Sequence, residues 1–296
     1  VIKMDEIVIA RVDGDGKVIA QQRYRDYIQG PKSLAITVGL HGRKLFDILL
    51  DEFGYITYRD NKPAWNFILQ TDTNRTIMNL LGKIAEAVLV RRCHEDNELN
   101  RILISKARYV SRRQPLSFTN KYFALGTGLL STEKNNRIYY NPSETQRDIE
   151  WVDDRNKLLL KSGSTVSSGD IAGLQLKAST DGMNYVYDDL IKHRYMVPLV
   201  YFGVGQHNDF AEIASTLIKN GYLHHSMVDV DFIDAAAIDP YGFDEVLTYV
   251  DMVTAIVKGK LRPEQLLDIA DDYPTLQTAI TVTGIMQSGL NNEIEC

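Results

Sequence analysis

The chain has 296 residues, of which 44% are apolar and 24% are charged, as is usual for a globular protein. Its formal net charge of −6 argues against a protein that coats nucleic acid through overall positive charge. No apolar run approaches the roughly 20 residues of a membrane-spanning helix, and the N-terminus does not have the pattern of a signal peptide. The two cysteines, Cys93 and Cys296, are too few for a disulfide framework, so we expect a cytoplasmic protein. Because no long apolar run is present, we expect no membrane segment.

The first 70 residues are predicted to form a β-rich module. A run of β-branched residues at 6–12 is followed by Asp13-Gly14-Asp15-Gly16 and by a second extended run, and this pattern is typical of a β-hairpin. The other elements expected here are a short helix at 43–53 and two strands at 55–58 and 65–69.

A long helix is predicted next, from the capping candidates Asp72-Thr73-Asn74 to about Arg92, because apolar residues recur in it at helical spacing. A second helix is expected at 95–109 and a polar loop at 110–147. Beyond the loop, the predicted strands lie at 148–152, 157–160 and 171–178.

The rest of the chain is predicted to continue the α/β pattern and then to become helical. A helix ending near His193 precedes the almost wholly apolar run 196–204, which is typical of a strand buried on both faces. A helix through Lys219 follows. The sequence therefore predicts three parts: a β-rich module at 1–70, an α/β core at 71–222 and an acidic, mostly helical region at 223–296, with helices near 241–258 and 263–271.

The strand at 171–178 carries two polar residues that face the same way. Strand alternation places Gln175 and Lys177 on one face, and burying both is costly unless they are satisfied. A site that binds a metal and a phosphate would satisfy them, because the Gln175 amide oxygen can bind a hard cation and Lys177 can neutralise phosphate charge. The alternative is an exposed strand edge, where a lysine discourages aggregation.

Two acids are candidates to complete such a site. Asp148 begins the strand at 148–152, and a carboxylate there is the kind of ligand that Mg²⁺ prefers. Glu86 lies one helical turn after Gly82, where the helix can approach the sheet closely. Glu150 and Asp170 are alternative acids. The ordinary interpretation is a turn acid at Asp148 and a solvated helix residue at Glu86.

The order of these residues resembles the PD-(D/E)XK nuclease superfamily, which includes type II restriction enzymes, Holliday-junction resolvases and Mrr-like enzymes. That superfamily has a restriction-endonuclease-like core of helix, three-stranded meander, helix and strand, an order that residues 75–205 match. The resemblance implies that Asp148 and Gln175 bind Mg²⁺ or Mn²⁺, that Lys177 assists the nucleophile and that Glu86 is an auxiliary ligand.

The chain departs from the superfamily's pattern at two positions. Arg147, rather than proline, precedes Asp148, and Gln175 replaces the usual second acid, as also occurs in Mrr-like members. The site is therefore less anionic, so metal affinity should fall, or cleavage should need the DNA phosphate to complete the metal's shell.

Charge is unevenly distributed along the chain. Residues 91–121 contain eight basic and three acidic residues, whereas residues 226–296 contain thirteen acids and three basic residues. The basic stretch predicts sequence-independent contacts with the nucleic-acid backbone, and the acidic region predicts a docking surface for a partner protein or a second copy of the chain. Ordinary solvated faces are the alternative. The residues expected to contact nucleic acid are Arg91, Arg92, Arg108, Arg112 and Arg113.

We therefore expect a metal-dependent endonuclease that hydrolyses phosphodiester bonds, with DNA favoured over RNA, in restriction, antiphage defence or recombination repair. One alternative is a non-catalytic subunit in which a degenerate nuclease core binds nucleic acid or protein. The other is a structural or regulatory subunit in which the α/β core is a scaffold and the acidic region makes the functional contacts.

Overall fold

The computed structural model describes residues 7–12, 15–67, 72–164 and 170–267, together with the backbone of 277–282. The described residues group into two compact units, an N-terminal unit (7–50, 54–67, 251–267 and 277–282) and a core unit (51–53 and 72–250). This grouping differs from the three-part prediction, because residues 223–250 belong to the core unit and residues from 251 onward to the N-terminal unit.

A three-stranded antiparallel sheet lies in the N-terminal unit. Strands β1 (Ile7–Val12) and β2 (Val18–Arg23) form the predicted hairpin, although turn residues 13–14 lie outside the described residues. Strand β10 (Gln277–Val282) pairs with the other edge of β1, with Ile7 opposite Val282. Our sequence analysis did not predict this strand within the region expected to be mostly helical, although β-branched residues dominate the segment and the unpaired edge of β1 is available to it.

The elements between β2 and residue 67 follow in chain order. They are α1 (Tyr24–Gln29), α2 (Leu34–Asp47), a π-helical turn (Ile48–Glu52), and strands β3 (Ile56–Arg59) and β4 (Lys62–Trp65). The last two residues of the π-helical turn belong to the core unit. The predicted helix at 43–53 begins earlier, at Leu34, because burial of its apolar face outweighs the low helix propensity of its β-branched and glycine residues. The second predicted strand lies at 62–65 rather than 65–69, since Asp60 and Asn61 form a tight turn with φ of 49° and 62°.

A five-stranded mixed sheet forms the centre of the core unit. Its strands, in spatial order, are β5 (Tyr122–Gly126), β6 (Ile149–Asp153), β7 (Gly173–Ser179), β8 (Leu199–Gly203) and β9 (Phe232–Asp234). Strands β5, β6 and β7 are antiparallel neighbours, whereas β7, β8 and β9 are parallel. The mixed α/β class predicted from the sequence is confirmed.

The helices between residues 73 and 257 follow in chain order. They are α3 (Thr73–Glu95), α4 (Asn97–Ala107), α5 (Leu116–Thr119), α6 (Leu130–Asn135), α7 (Tyr187–Ile191), α8 (Phe210–Lys219), α9 (Ala235–Ile238) and α10 (Pro240–Val257). Asp72 caps α3 as predicted, because its side chain accepts a hydrogen bond from the Arg75 amide at 3.0 Å. Every residue of β8 is buried, which confirms the strand expected to be covered on both faces. No described helix combines the length and apolar character needed to cross a membrane.

The prediction of the three-stranded meander was wrong in detail. The segment expected to be a polar loop, 110–147, contains β5, α5 and α6, and β5 is the first strand of the meander. The strand expected at 157–160 forms only isolated bridges, from Leu158 to Val152 and from Leu160 to Ile171. Strand β5 is short and the residues on either side of it are polar, so the sequence gives little indication of a strand. Packing against α3 stabilises this strand, and sequence periodicity cannot reveal such packing.

Candidate functional site

The β6–β7 pairing brings Asp148 beside Gln175. Because Ile149 lies opposite Leu174 in the antiparallel register, the residue before β6 reaches the middle of β7. Asp148 Oδ2 accepts a hydrogen bond from the Leu176 amide at 2.7 Å and another from Gln175 Nε2. These contacts fix the direction in which the Asp148 carboxylate points.

Glu86 enters the same site from α3. Its side chain is only 1% exposed, and its carboxylate accepts hydrogen bonds from the Gly128 amide at 3.0 Å and from Lys83 Nζ at 3.3 Å. A Cβ at Gly126 would lie 2.7 Å from Glu86 Oε1, so glycine is needed there for close approach. The turn at 126–128 therefore wraps around the Glu86 carboxylate.

The same turn also supports Asp148. The Thr127 amide donates to the Asp148 carbonyl at 2.8 Å, and Thr127 Oγ1 donates to the Arg147 carbonyl at 3.0 Å. Our sequence analysis missed this turn and Lys83. The available signals were two glycines at the end of a short apolar run and a lysine three residues before Glu86.

Burial disfavours the ionised forms of the Glu86 and Asp148 carboxyl groups. It raises the pKa of Glu86 to about 7; the charge of Lys83 opposes this rise, whereas the charge of Asp148 adds to it. Burial also raises the pKa of Asp148, against the effects of the Leu176 amide and of the two lysines, Lys83 and Lys177. The Glu86 carboxyl therefore keeps its proton to a higher pH than an exposed glutamate does, and a cation beside it would favour the ionised form.

Lys177 occupies the same face of β7 as Gln175. Its Nζ lies 3.7 Å from Asp189 Oδ2 and over the rings of Tyr185 and Tyr195, at 5.0 and 5.7 Å from their centroids. Burial lowers the pKa of Lys177, while the negative charges of Asp189 and Asp148 raise it. The ammonium group is thus held in one place by an acid and two aromatic rings.

Asp189 was not singled out by our sequence analysis. It also accepts hydrogen bonds from Arg194 Nη1 and the Tyr195 hydroxyl, both at 2.9 Å. Because these partners lie in a segment without a recognisable motif, only the tertiary structure identifies the acid that faces Lys177.

The donor atoms of this site fit a hard divalent cation. Gln175 is 6% exposed, and its Oε1 atom is buried with no hydrogen-bond partner in the described part of the chain. The Gln175 carboxamide lies beside Asp148, to which its Nε2 donates, and Glu86 is near enough for the charge of Asp148 to raise its pKa. Carboxylate and amide oxygens are the ligands that Mg²⁺ and Mn²⁺ prefer. Within the described ranges, no group of three or more His, Cys, Asp or Glu side chains could hold a metal, so an ion here would rely on the amide oxygen.

The two alternative acids have other partners. Glu150 accepts from Arg147 Nε at 2.6 Å, and Arg147 packs against Gly173, where a Cβ would lie 2.7 Å from its Cδ. Asp170 interacts electrostatically with Lys161. Arg147, the residue before Asp148, therefore neutralises Glu150 beside the site.

Of the arginines expected to contact nucleic acid, Arg91 and Arg92 bind acids of the core. Arg91 Nη2 lies 2.6 Å from Glu245 Oε2, and Arg92 Nη2 lies 3.2 Å from Asp239 Oδ1. Both acids come from the region predicted to be a docking surface, so part of its negative charge is neutralised internally.

The other three arginines lie near α4 and α5. Arg108 donates to the Leu160 carbonyl at 3.0 Å and stacks on Phe118, and Arg113 pairs with Glu98 at 2.5 Å. Arg112 is exposed and has no side-chain partner among the residues that the structure describes. Arg112 is therefore the member of the set most available to a phosphate.

In comparisons with known proteins, no protein-family model, curated protein or solved structure matches this chain.

Proposed function

We propose that this protein is a metal-dependent nuclease that hydrolyses DNA phosphodiester bonds, with its active site at Glu86, Asp148, Gln175 and Lys177. The observation that carries the proposal is the buried Gln175 carboxamide, which donates to the Asp148 carboxylate while its Oε1 has no partner among the described residues, with the Lys177 ammonium group on the same strand face. A divalent cation would satisfy the amide oxygen and the two carboxylates together.

The order of the elements supports the same function. In chain order, helix α3 precedes the antiparallel strands β5, β6 and β7, which are followed by helix α7 and the parallel strand β8. Helices α4 and α5 lie between α3 and β5, and α6 lies between β5 and β6. A restriction-endonuclease-like core has the same order of helix, meander, helix and strand. Glu86 lies on α3, Asp148 lies directly before β6, and Gln175 and Lys177 lie on β7.

Glu86, Asp148 and Gln175 Oε1 would hold Mg²⁺ or Mn²⁺. Such an ion polarises a phosphate and lowers the pKa of a bound water. Lys177 neutralises negative charge that develops on the scissile phosphate, and Asp189 with the two tyrosines limits its movement. The Leu176 amide keeps the Asp148 carboxylate aimed into the site, and Gly128 does the same for Glu86.

Nicking of supercoiled plasmid tests the proposal. The purified chain is expected to convert the plasmid to open-circular or linear DNA with Mg²⁺ or Mn²⁺, and to do nothing in EDTA. A parallel reaction with labelled RNA distinguishes the substrates. Metal-dependent cutting would fit a role in restriction, antiphage defence or recombination repair, whereas an intact plasmid under all metal conditions would refute the nuclease.

A second candidate function is a degenerate core that binds nucleic acid or protein without cutting. The observation that favours it is the amide at position 175, which leaves the site one carboxylate short of the superfamily's usual ligands. Salt-sensitive DNA binding without cleavage would select this function.

We predict that Gln175→Glu tightens Mn²⁺ binding several-fold and retains cleavage. A carboxylate adds negative charge at the position of the orphaned amide oxygen, although without metal it would repel Asp148, to which Gln175 now donates. Calorimetric titration with Mn²⁺ measures the affinity, with Gln21→Glu on the exposed face of β2 as the matched control. A well-folded Gln175→Glu protein with unchanged metal affinity would count against the ligand role of this residue.

We also predict that Arg112→Ala lowers DNA affinity a few-fold and reduces the slope of log affinity against log salt by about 1, because one phosphate contact is lost. Fluorescence anisotropy at several salt concentrations measures both quantities. Arg43→Ala is the matched control, since this exposed arginine pairs with Asp47 in the N-terminal unit. Equal salt slopes for Arg112→Ala and wild type would remove Arg112 from the interface.

A further inference from the structure

A cavity of about 400 Å³ lies in the core unit, bordered by α3, α4, β5 and α6. This volume falls within the roughly 300–1,000 Å³ of pockets that hold small ligands. The proposed nuclease chemistry makes no use of the cavity. Its lining combines polar side chains with aromatic rings.

The described residues that line the cavity include five asparagines and one histidine, and none of them is Asp, Glu, Lys or Arg. Asn97, Asn120 and Asn135 have no side-chain hydrogen-bond partner within the described residues, so their donors and acceptors are available to a ligand. A lining without charge does not favour phosphate or a metal ion, whereas carboxamides suit a neutral group with neighbouring donors and acceptors. The five asparagines of the lining are Asn97, Asn100, Asn120, Asn135 and Asn136.

Aromatic surface adjoins these carboxamides. Phe123 is 52% exposed although it lies on a strand, and Tyr122 lines the cavity next to it. Leaving a phenylalanine half in water is unfavourable, and a flat ring that stacks on it would cover it. A planar, neutral, hydrogen-bonding ring system is therefore the ligand that matches both features.

The strand edge beside the cavity is already occupied, which argues against a peptide that would pair with β5. His94 Nε2 contacts the Ala124 carbonyl at 2.8 Å, and Asn100 Nδ2 donates to the Tyr122 carbonyl at 3.2 Å. These carbonyls point away from β6, and an added strand would need them as acceptors.

We propose that this cavity binds a nucleobase, with asparagine side chains on its hydrogen-bonding edge and Phe123 against its face. Asparagine is suited to adenine, because one carboxamide can pair with both N6 and N7, and an aromatic ring stacks favourably on the face of any base. The proposal does not depend on the nuclease activity.

The base could belong to a free nucleoside or to a nucleic-acid strand. Two residues of the lining lie close to Glu86 in the fold: Val90 is one helical turn after it, and Leu125 comes directly before the turn at 126–128. A nucleic-acid strand bound at the proposed active site could therefore place a base in this cavity. Both sources present the same neutral ring to the cavity, with any phosphate left outside.

Equilibrium binding of two probes, adenosine and a 12-nucleotide oligodeoxyadenylate, tests the proposal on the full chain in EDTA. The variants are Phe123→Ala and the double variant Asn97→Ala/Asn135→Ala, all at exposed or half-exposed positions. Asn74→Ala, an exposed asparagine in the first turn of α3, is the matched control. Circular dichroism checks that each variant is folded.

We expect both cavity variants to weaken binding at least tenfold while Asn74→Ala binds as the wild type does. If the cavity variants bind adenosine more weakly than wild type does, the result supports a site for free nucleosides. If the variants weaken binding of the oligonucleotide but the wild type does not bind adenosine, the result supports a base delivered by a strand. Either result stands whether or not the chain cuts DNA. If neither probe binds, or if the cavity variants bind as tightly as wild type, the nucleobase site is overturned.

Discussion

Lys177→Ala is expected to lower the rate of metal-dependent DNA cleavage by about 10²–10³-fold, the usual loss when one group that stabilises transition-state charge is removed. The fold should persist, because Asp189 keeps Arg194 and Tyr195 as partners after the lysine is gone. Single-turnover cleavage at saturating Mg²⁺ measures the rate, and chemical denaturation measures the stability. Lys192→Ala is the control, since that exposed lysine pairs only with Asp188 on α7.

Asp148→Asn should be similarly inactive for a different reason, the loss of a negatively charged metal ligand. We choose asparagine because its amide oxygen can still accept from the Leu176 amide, whereas alanine would leave that buried donor unsatisfied. Full activity in both Lys177→Ala and Asp148→Asn would remove this site from the reaction, even if plasmid nicking by the wild type were real.

Glu86→Gln is expected to raise the free energy of unfolding at pH 8 by up to about 3 kcal/mol and to change it little at pH 4.5. The pKa of Glu86 is raised from 4.5 to about 7, so between these values the folded chain holds a proton that the unfolded chain releases. Stability conferred by this group is therefore lost as the pH rises from about 4.5 to 7. A glutamine at this position does not ionise, so the variant keeps its stability as the pH rises. Its amide oxygen can still accept a hydrogen bond from the Gly128 amide.

Urea denaturation in EDTA at the two pH values measures this effect. Glu212→Gln, at an exposed residue that pairs with His207 on the surface, is the control for the loss of one carboxylate. Adding Mn²⁺ should stabilise the wild type at pH 8 and stabilise Glu86→Gln less, because a bound cation compensates the buried charge. An equal effect of Glu86→Gln at both pH values would show that Glu86 does not titrate with a raised pKa.

Several features of this protein could be predicted from the sequence because they depend on local physics. The capped helix α3, the buried strand β8 and the hairpin β1–β2 each carry their own signal in apolar spacing, capping residues or turn residues. The alternation along β7 also placed Gln175 and Lys177 on one face. These predictions needed no knowledge of which elements are neighbours.

The tertiary structure alone decided the remaining features, because they depend on pairing between distant segments. Strand β5 and the turn at 126–128 are defined by α3 packing over them, and β10 is defined by its pairing with β1, far away in the chain. The arginines of the basic stretch were expected to face phosphate, yet Arg91 and Arg92 bind acids about 150 residues away, as charges do when a fold brings them together. Sequence spacing carries no information on such contacts. The partners of Lys177 and Glu86 are therefore identified only by the tertiary structure.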